Sequence, residues 1–264
     1  MEVREKVKAV CIQPHNDDCV IAVGGILQKL VRSGWDLTYV YITDGRHGSH
    51  SVPPEELVDI RRAEAAQEMR LLGIHRFFEL GIEDGLTARL RGRRLRVVEG
   101  QLASILRDSA PDVVFLPSRS EMHPDHRAAH DIVLRVIHSM DKGPLIVKYL
   151  VWLFPDFYHK RSDVADQVLM VGVDEEMTGK LSAVRLHRSQ LAVAAYDSMA
   201  ETVNAYFAHA FKAPDRIGSR FVEIVGLFGA QRRPEVVSRL LGDLEPCADI
   251  TSVLHGRTSE RIEA

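Results

Sequence analysis

Residues Val7–Asp18, VKAVCIQPHNDD, decide the fold. Val7 to Ile12 is a short, β-branched, nearly continuous apolar run, the pattern of a strand buried on both faces of a parallel sheet. Pro14-His15-Asn16-Asp17-Asp18 follows at once. Val20 to Arg32 then sets Ile21, Ile26, Leu27, Leu30 and Val31 at helical spacing, with Gly34 just beyond as a stop signal. A buried strand that feeds a helix through a short polar loop opens a βαβ unit.

The same alternation continues outward. Leu37 to Ile42, rich in Tyr, Val and Ile, reads as the next strand. Pro53 and Pro54 precede a helix from Glu55 to Leu72, closed by Gly73. Arg76 to Leu80 reads as a third strand, Val97 to Arg107 as a helix, Asp112 to Leu116 as a fourth strand, and Pro124 to His138 as a helix. Right-handed crossovers between such strands give an α/β, Rossmann-like fold: a mainly parallel sheet with helices on both faces. Ligands then bind outside the strand C-termini, at the topological switch point. Lys148 to Leu153 and Gln167 to Val173 read as further strands and Glu175 to Leu186 as a helix; from Ile224 onward periodicity assigns nothing. With no repeat, low-complexity tract or linker, residues 1–264 are expected to form one domain, with a core of about 7–190 and a C-terminal extension of about 191–264.

Composition narrows the function. With 34 basic and 37 acidic residues the formal net charge is −3, which gives no reason to expect nucleic-acid binding. The local run Arg91, Arg93, Arg94 and Arg96 reads as a solvated loop. No apolar stretch has the length of a membrane span and no signal-peptide pattern is present. The 3 cysteines, Cys11, Cys19 and Cys247, form no disulfide framework and no CxxC pair. A cytoplasmic setting is expected.

Two segments carry chemistry, and both sit where the sheet places a site. His15-Asn16-Asp17-Asp18 follows the first strand, and His123-Pro124-Asp125-His126 follows the fourth past a short loop. Each joins imidazole to carboxylate, the donor types of a catalytic zinc that keeps one position open for water. Of two adjacent aspartates, one can ligate while the other takes the proton of a metal-activated water. Of the two histidines, one can ligate while the other stabilises an oxyanion as an imidazolium and later protonates a departing amine. Asp125 can orient a histidine from behind. Asn and Asp also favour turns and helix caps, so turn chemistry explains either segment alone. Two such segments at strand C-termini point to a site.

Pro14-His15-Asn16-Asp17-Asp18 resembles the (P/A)HPDD signature of the LmbE-like, or PIG-L, zinc deacetylases, and His123-Pro124-Asp125-His126 is similar to that family's HPDH. Thr43-Asp44-Gly45, Arg61-Arg62-Ala63-Glu64, Leu72-Gly73, Asp84-Gly85 and Lys180, His187, Ser189-Gln190 resemble further landmarks in the family's order. Asp17-Asp18-Cys19-Val20-Ile21 and Leu186-His187-Arg188-Ser189-Gln190 look most like the diacetylchitobiose deacetylase branch. The resemblance implies zinc held by His15, Asp18 and His126. It makes Asp17 the general base, His123 the oxyanion-stabilising residue and Asp125 the orienting carboxylate, with Arg61 and Asp84 facing the substrate. It implies removal of acetyl from an N-acetylglucosaminyl-type amino sugar, and a tendency to form a homo-oligomer. Asn16 stands where the signature has proline, and Gly229-Ala230 follows Gly226-Leu227-Phe228 where the branch has a histidine.

Two other readings share these residues. One is a zinc amidase of the same family acting on a thiol-cofactor or antibiotic-pathway intermediate. The other is a non-catalytic metal- or nucleotide-binding Rossmann-like protein; against its nucleotide form, Val23-Gly24-Gly25 lies inside the first helix and is not a G-x-G-x-x-G turn. Among lesser candidates, His47 and His50 read as loop residues within reach of substrate and His187 as a residue near the site. Trp152, Phe154, Phe157 and Tyr158 read as packing residues or a sugar-stacking platform.

Overall fold

A computed structural model describes residues 6–151 and 165–254. The expectation at Trp152, Phe154, Phe157 and Tyr158 falls outside the described residues, as does the end of the strand expected to reach Leu153. At the centre is β1 (Lys8–Gln13), with β2 (Asp36–Thr43) and β3 (Arg76–Ile82) on one side and β4 (Val113–Pro117) and β5 (Leu145–Tyr149) on the other. All of these neighbours pair in parallel, with Cys11 opposite Tyr39 on β2 and Phe115 on β4. The order β3-β2-β1-β4-β5 reverses direction between β1 and β4. That is the switch point, and the two chemical segments follow those two strands.

Beyond β5 the sheet turns antiparallel. It continues through β6 (Gln167–Gly172), β7 (Val222–Phe228) and β8 (Cys247–Asp249) in the spatial order β5-β7-β6-β8. The region that periodicity leaves blank from Ile224 thus contains a strand buried between two others. Its Gly226 and its pairing with β5 and β6 depend on residues far away in sequence. β5 begins at Leu145, three residues before the expected start, because Leu145 is in register with Val113.

The helices among the described residues include α1 (Asp18–Arg32), α2 (Pro54–Leu72), α3 (Gly92–Ser109), α4 (Pro124–His138), α5 (Met177–Val184), α6 (Arg188–Leu191), α7 (Tyr196–Ala210), α8 (Ala213–Ile217) and α9 (Pro234–Asp243). Alternation along β1 divides the core. Ala9 and Cys11 join the cluster with residues of α1, α2 and α9, while Val10 and Ile12 join α3 and α4 on the opposite face. A third cluster packs Phe207, Ala208 and Phe211 against β6 and β7. The arginines at 91, 93, 94 and 96 are not in a loop: α3 starts at Gly92 and all but Arg91 lie on its first turns. They are exposed, so their charge costs nothing there, and the apolar phase seen from Val97 onward continues a helix already begun.

Helix α1 is interrupted at Val23 (φ −135°, ψ 21°). The backbone N–H groups of Gly25 and Ile26 donate to Glu223 Oε1 and Oε2 at 2.9 and 2.7 Å, which caps the second half of the helix. Lys180 Nζ meets the same carboxylate at 2.7 Å and Asn204 Oδ1 at 2.8 Å. A Cβ on Gly25 would lie 2.6 Å from Val173 Cγ1, so this glycine serves close packing.

Candidate active site

The loop after β1 is pinned before it turns. Both the N–H and the hydroxyl of Thr43, at the end of β2, donate to the Pro14 carbonyl at 3.0 and 2.7 Å. The His15 N–H donates to Asp18 Oδ2 at 2.7 Å. Asn16, in place of proline, is buried, and a Cβ on the neighbouring Gly45 (φ +68°) would stand 2.9 Å from its Oδ1. Only glycine suits that position, on both backbone and space.

Three donors converge at the switch point. His15 Nδ1 and Asp18 Oδ2 are 3.3 Å apart, His126 Nε2 and Asp18 Oδ1 are 3.3 Å apart, and the two ring nitrogens are 3.2 Å apart. The two imidazoles face different oxygens of one carboxylate, and this triangle of side chains is made of the residue types that bind zinc. Burial opposes ionisation of Asp18, but the charges of His126 and His15 outweigh it and hold the carboxyl well below the usual range. Burial likewise disfavours charge on His15, and Asp18, Asp125 and Asp84 outweigh that to raise it.

Two groupings offer single donor atoms all within 4.8 Å of one another: His15, His123 and His126, and His15, Asp84 and Asp125. Members of both are also hydrogen-bonded within the protein. His123 is the N-cap of α4, and its Nδ1 accepts the Asp125 N–H at 3.3 Å. Asp125 is engaged on both oxygens, by the Gly85 N–H at 2.7 Å and the Thr87 N–H at 3.1 Å.

Asp84, at the end of β3, places Oδ1 3.2 Å from His15 Nε2, whereas Asp125 Oδ2 is 3.8 Å away. The orienting carboxylate nearest His15 is therefore Asp84. Burial alone would raise its carboxyl, but the His15 hydrogen bond and charge bring it down to about 2. With Nδ1 accepting, a neutral His123 ring carries its proton on Nε2, whereas the sequence reading expects an imidazolium. Burial, then His15 and His126, lower its pKa.

Arg61, on α2, is 2% exposed; its Nη2 donates to Asp17 Oδ1 at 2.8 Å and its Nη1 to the Gly45 carbonyl at 3.3 Å. The guanidinium thus engages Asp17 and Gly45 through its two Nη groups, while its Nε has no hydrogen-bond partner among the described residues. Further along the same face of α2, Glu64 accepts the Ser189 N–H and hydroxyl at 2.8 and 2.7 Å. Glu68 accepts from Tyr39 at 3.0 Å and bonds His187 Nε2 at 3.0 Å. Sequence reasoning noted Glu64 only as a family landmark and missed Glu68, the partner of His187. The available signal was that Arg61, Glu64 and Glu68 share the helical phase of Leu57, Ala65, Met69 and Leu72, where charges must be paired. Glu121 was missed as well; it is buried 3.8 Å from His126 Nδ1 and accepts the Val151 N–H. His47 donates its N–H to Asp84 and its exposed ring faces Glu83, and His50 is exposed.

A family model described as PIG-L, GlcNAc-PI de-N-acetylase, matches residues 10–137. A diacetylchitobiose deacetylase of Thermococcus kodakarensis is 30% identical over 197 residues, covering 69% of this chain and 70% of that protein. A 1D-myo-inositol 2-acetamido-2-deoxy-alpha-D-glucopyranoside deacetylase of Corynebacterium diphtheriae is 30% identical over 156 residues, 51% of this chain and 53% of that one. The solved N,N'-diacetylchitobiose deacetylase of Pyrococcus horikoshii, in complex with an inhibitor, superposes with a TM-score of 0.68 at 27% identity, covering 86% of each chain.

Proposed function

The chain belongs to the PIG-L, or LmbE-like, family of N-deacetylases, and on that premise we propose that it is a zinc-dependent hydrolase removing acetyl from an N-acetylglucosaminyl-type amino sugar. The observation that carries the reading is the convergence of His15 Nδ1 and His126 Nε2, 3.2 Å apart and each 3.3 Å from one oxygen of Asp18, beside the buried Asp17. Two imidazoles and a carboxylate suit zinc and leave a position open. Zinc bound there supplies a Lewis acid that acidifies water and polarises the acetamide carbonyl.

The protein's own groups do the rest. Asp17, held by Arg61, takes the proton of the attacking water. His123 donates its Nε2–H to the carbonyl oxygen as negative charge develops. A neutral His123 is a poor acid, so the proton returned to the leaving nitrogen is the one Asp17 accepted. The products are acetate and a free amine. Asp84 keeps His15 turned so that Nδ1 faces the triangle, and the N–H groups of Gly85 and Thr87 keep Asp125 fixed behind it.

The substrate class rests on the relatives, whose printed names are of deacetylases acting on diacetylchitobiose and on a GlcNAc-inositol compound. No helix among the described residues is long and apolar enough to cross a membrane. The test is acetate release by the zinc-loaded protein from N-acetylglucosamine, diacetylchitobiose, a GlcNAc-inositol conjugate and an acetylated aminoglycoside precursor. Release from one of them, lost in Asp17→Ala, is the expected result. No release from any of the four by protein with bound zinc counts against the amino-sugar reading.

A further inference from the structure

A cavity of about 680 Å³ opens between β3 and the start of α3, outside the donor triangle. Its floor is apolar, with Ile82, Leu86, Leu90 and Val98. Arg89, Arg93 and Arg94 stand around it, and Glu83 is the one acid among the described lining residues. None of the three arginines is ion-paired among the described residues. Three guanidiniums against one carboxylate leave the wall at a formal +2. Arg93 and Arg94 lie in the first turn of an 18-residue helix whose leading N–H groups have no side-chain cap, which adds positive potential. The volume is that of a small-molecule site.

We propose that this cavity binds a phosphomonoester with an apolar body, at a site separate from the donor triangle. A phosphomonoester carries about −1.5 to −2 charge at neutral pH, which matches the wall. Guanidinium forks pair with phosphate oxygens bidentately, and an alkyl body covers the apolar floor. Both features are needed: inorganic phosphate has no body, and a neutral glycoside has no charge. One wall of the cavity also serves the centre described above. Glu83, Leu86 and Arg89 line it, while Asp84 between them bonds His15, and the Gly85 and Thr87 N–H groups bond Asp125. The proposal is independent of the deacetylase reading, since it uses none of the residues of the triangle.

The test is calorimetric titration of the full chain, zinc-loaded and metal-stripped, with octyl phosphate below its micelle concentration, inorganic phosphate and octyl glucoside. Octyl phosphate should bind one equivalent, roughly tenfold or more tightly than either control, given the worth of a charged hydrogen bond. Binding should persist without metal and fall by a similar factor in Arg89→Ala/Arg93→Ala. Arg107→Ala, on the exposed far part of α3, should leave it unchanged. Binding that vanishes with the metal, that octyl glucoside equals, or that Arg107→Ala weakens as much as the double variant, overturns the proposal.

Discussion

Arg61 Nη2 and Asp17 Oδ1 are 2.8 Å apart, and both residues are buried. A charge-assisted hydrogen bond in that setting fixes the carboxylate's rotamer. Under the proposed mechanism, position 61 thus orients the base.

Arg61→Ala should lower kcat by roughly 100-fold or more, the scale of a misplaced general base, and change KM little. Breaking a buried pair also costs about 3–5 kcal/mol in stability, so thermal unfolding should be followed alongside the kinetics. A rise in KM at unchanged kcat would show that Arg61 serves as a sugar clamp instead.

His15 and Asp17 are two residues apart and should separate cleanly in their effects. Asp17→Ala should retain stoichiometric zinc and lose most turnover, while His15→Ala should lose metal affinity as well. Elemental analysis and acetate release on the same preparations distinguish them. Chelation should abolish turnover with little change in secondary structure, because the triangle lies at the strand ends, outside the three apolar clusters. Zinc return should restore it.

The Lys180–Glu223 pair holds the second half of α1 in place through the N–H groups of Gly25 and Ile26. Both side chains are buried, so Lys180→Met leaves an uncompensated carboxylate and should cost about 3–5 kcal/mol. Adding Glu223→Gln should recover part of that loss in urea unfolding. Strict additivity of the two changes would argue against a direct coupling.

His187 and Glu68 set a pH dependence of stability. Burial disfavours charge on His187, yet the Glu68 hydrogen bond and charge prevail and hold it above its ordinary value of 6.5. Burial pushes the Glu68 carboxyl up, in the same sense: the folded state keeps its protons longer. The contribution of a raised histidine is present in full below its unfolded value of 6.5 and is lost as pH rises through the folded one. Stability should thus decline as pH rises above about 6.5, and His187→Gln should flatten the decline. An equal slope in that variant would assign the effect elsewhere.

The sequence by itself determined the first half of the sheet, the two chemical loops and the ends of the strands they follow. β1, β2, β4 and α4 are legible because hydrophobic period and turn chemistry are local properties, expressed within one element. His15, Asp17, Asp18, His123 and His126 are legible because each loop immediately follows its strand or lies just past a short turn. Tertiary structure alone decided which partner each of them meets. Asp84 lies nearer His15 than Asp125 does, Arg61 is turned onto Asp17, and His123 caps α4 through its Nδ1. β7 is placed between β5 and β6 across a long intervening stretch of chain. These depend on the register of strands and the phase of α2 against β2. Register and phase are set by packing between distant segments, and no local pattern in the chain encodes a distance between them.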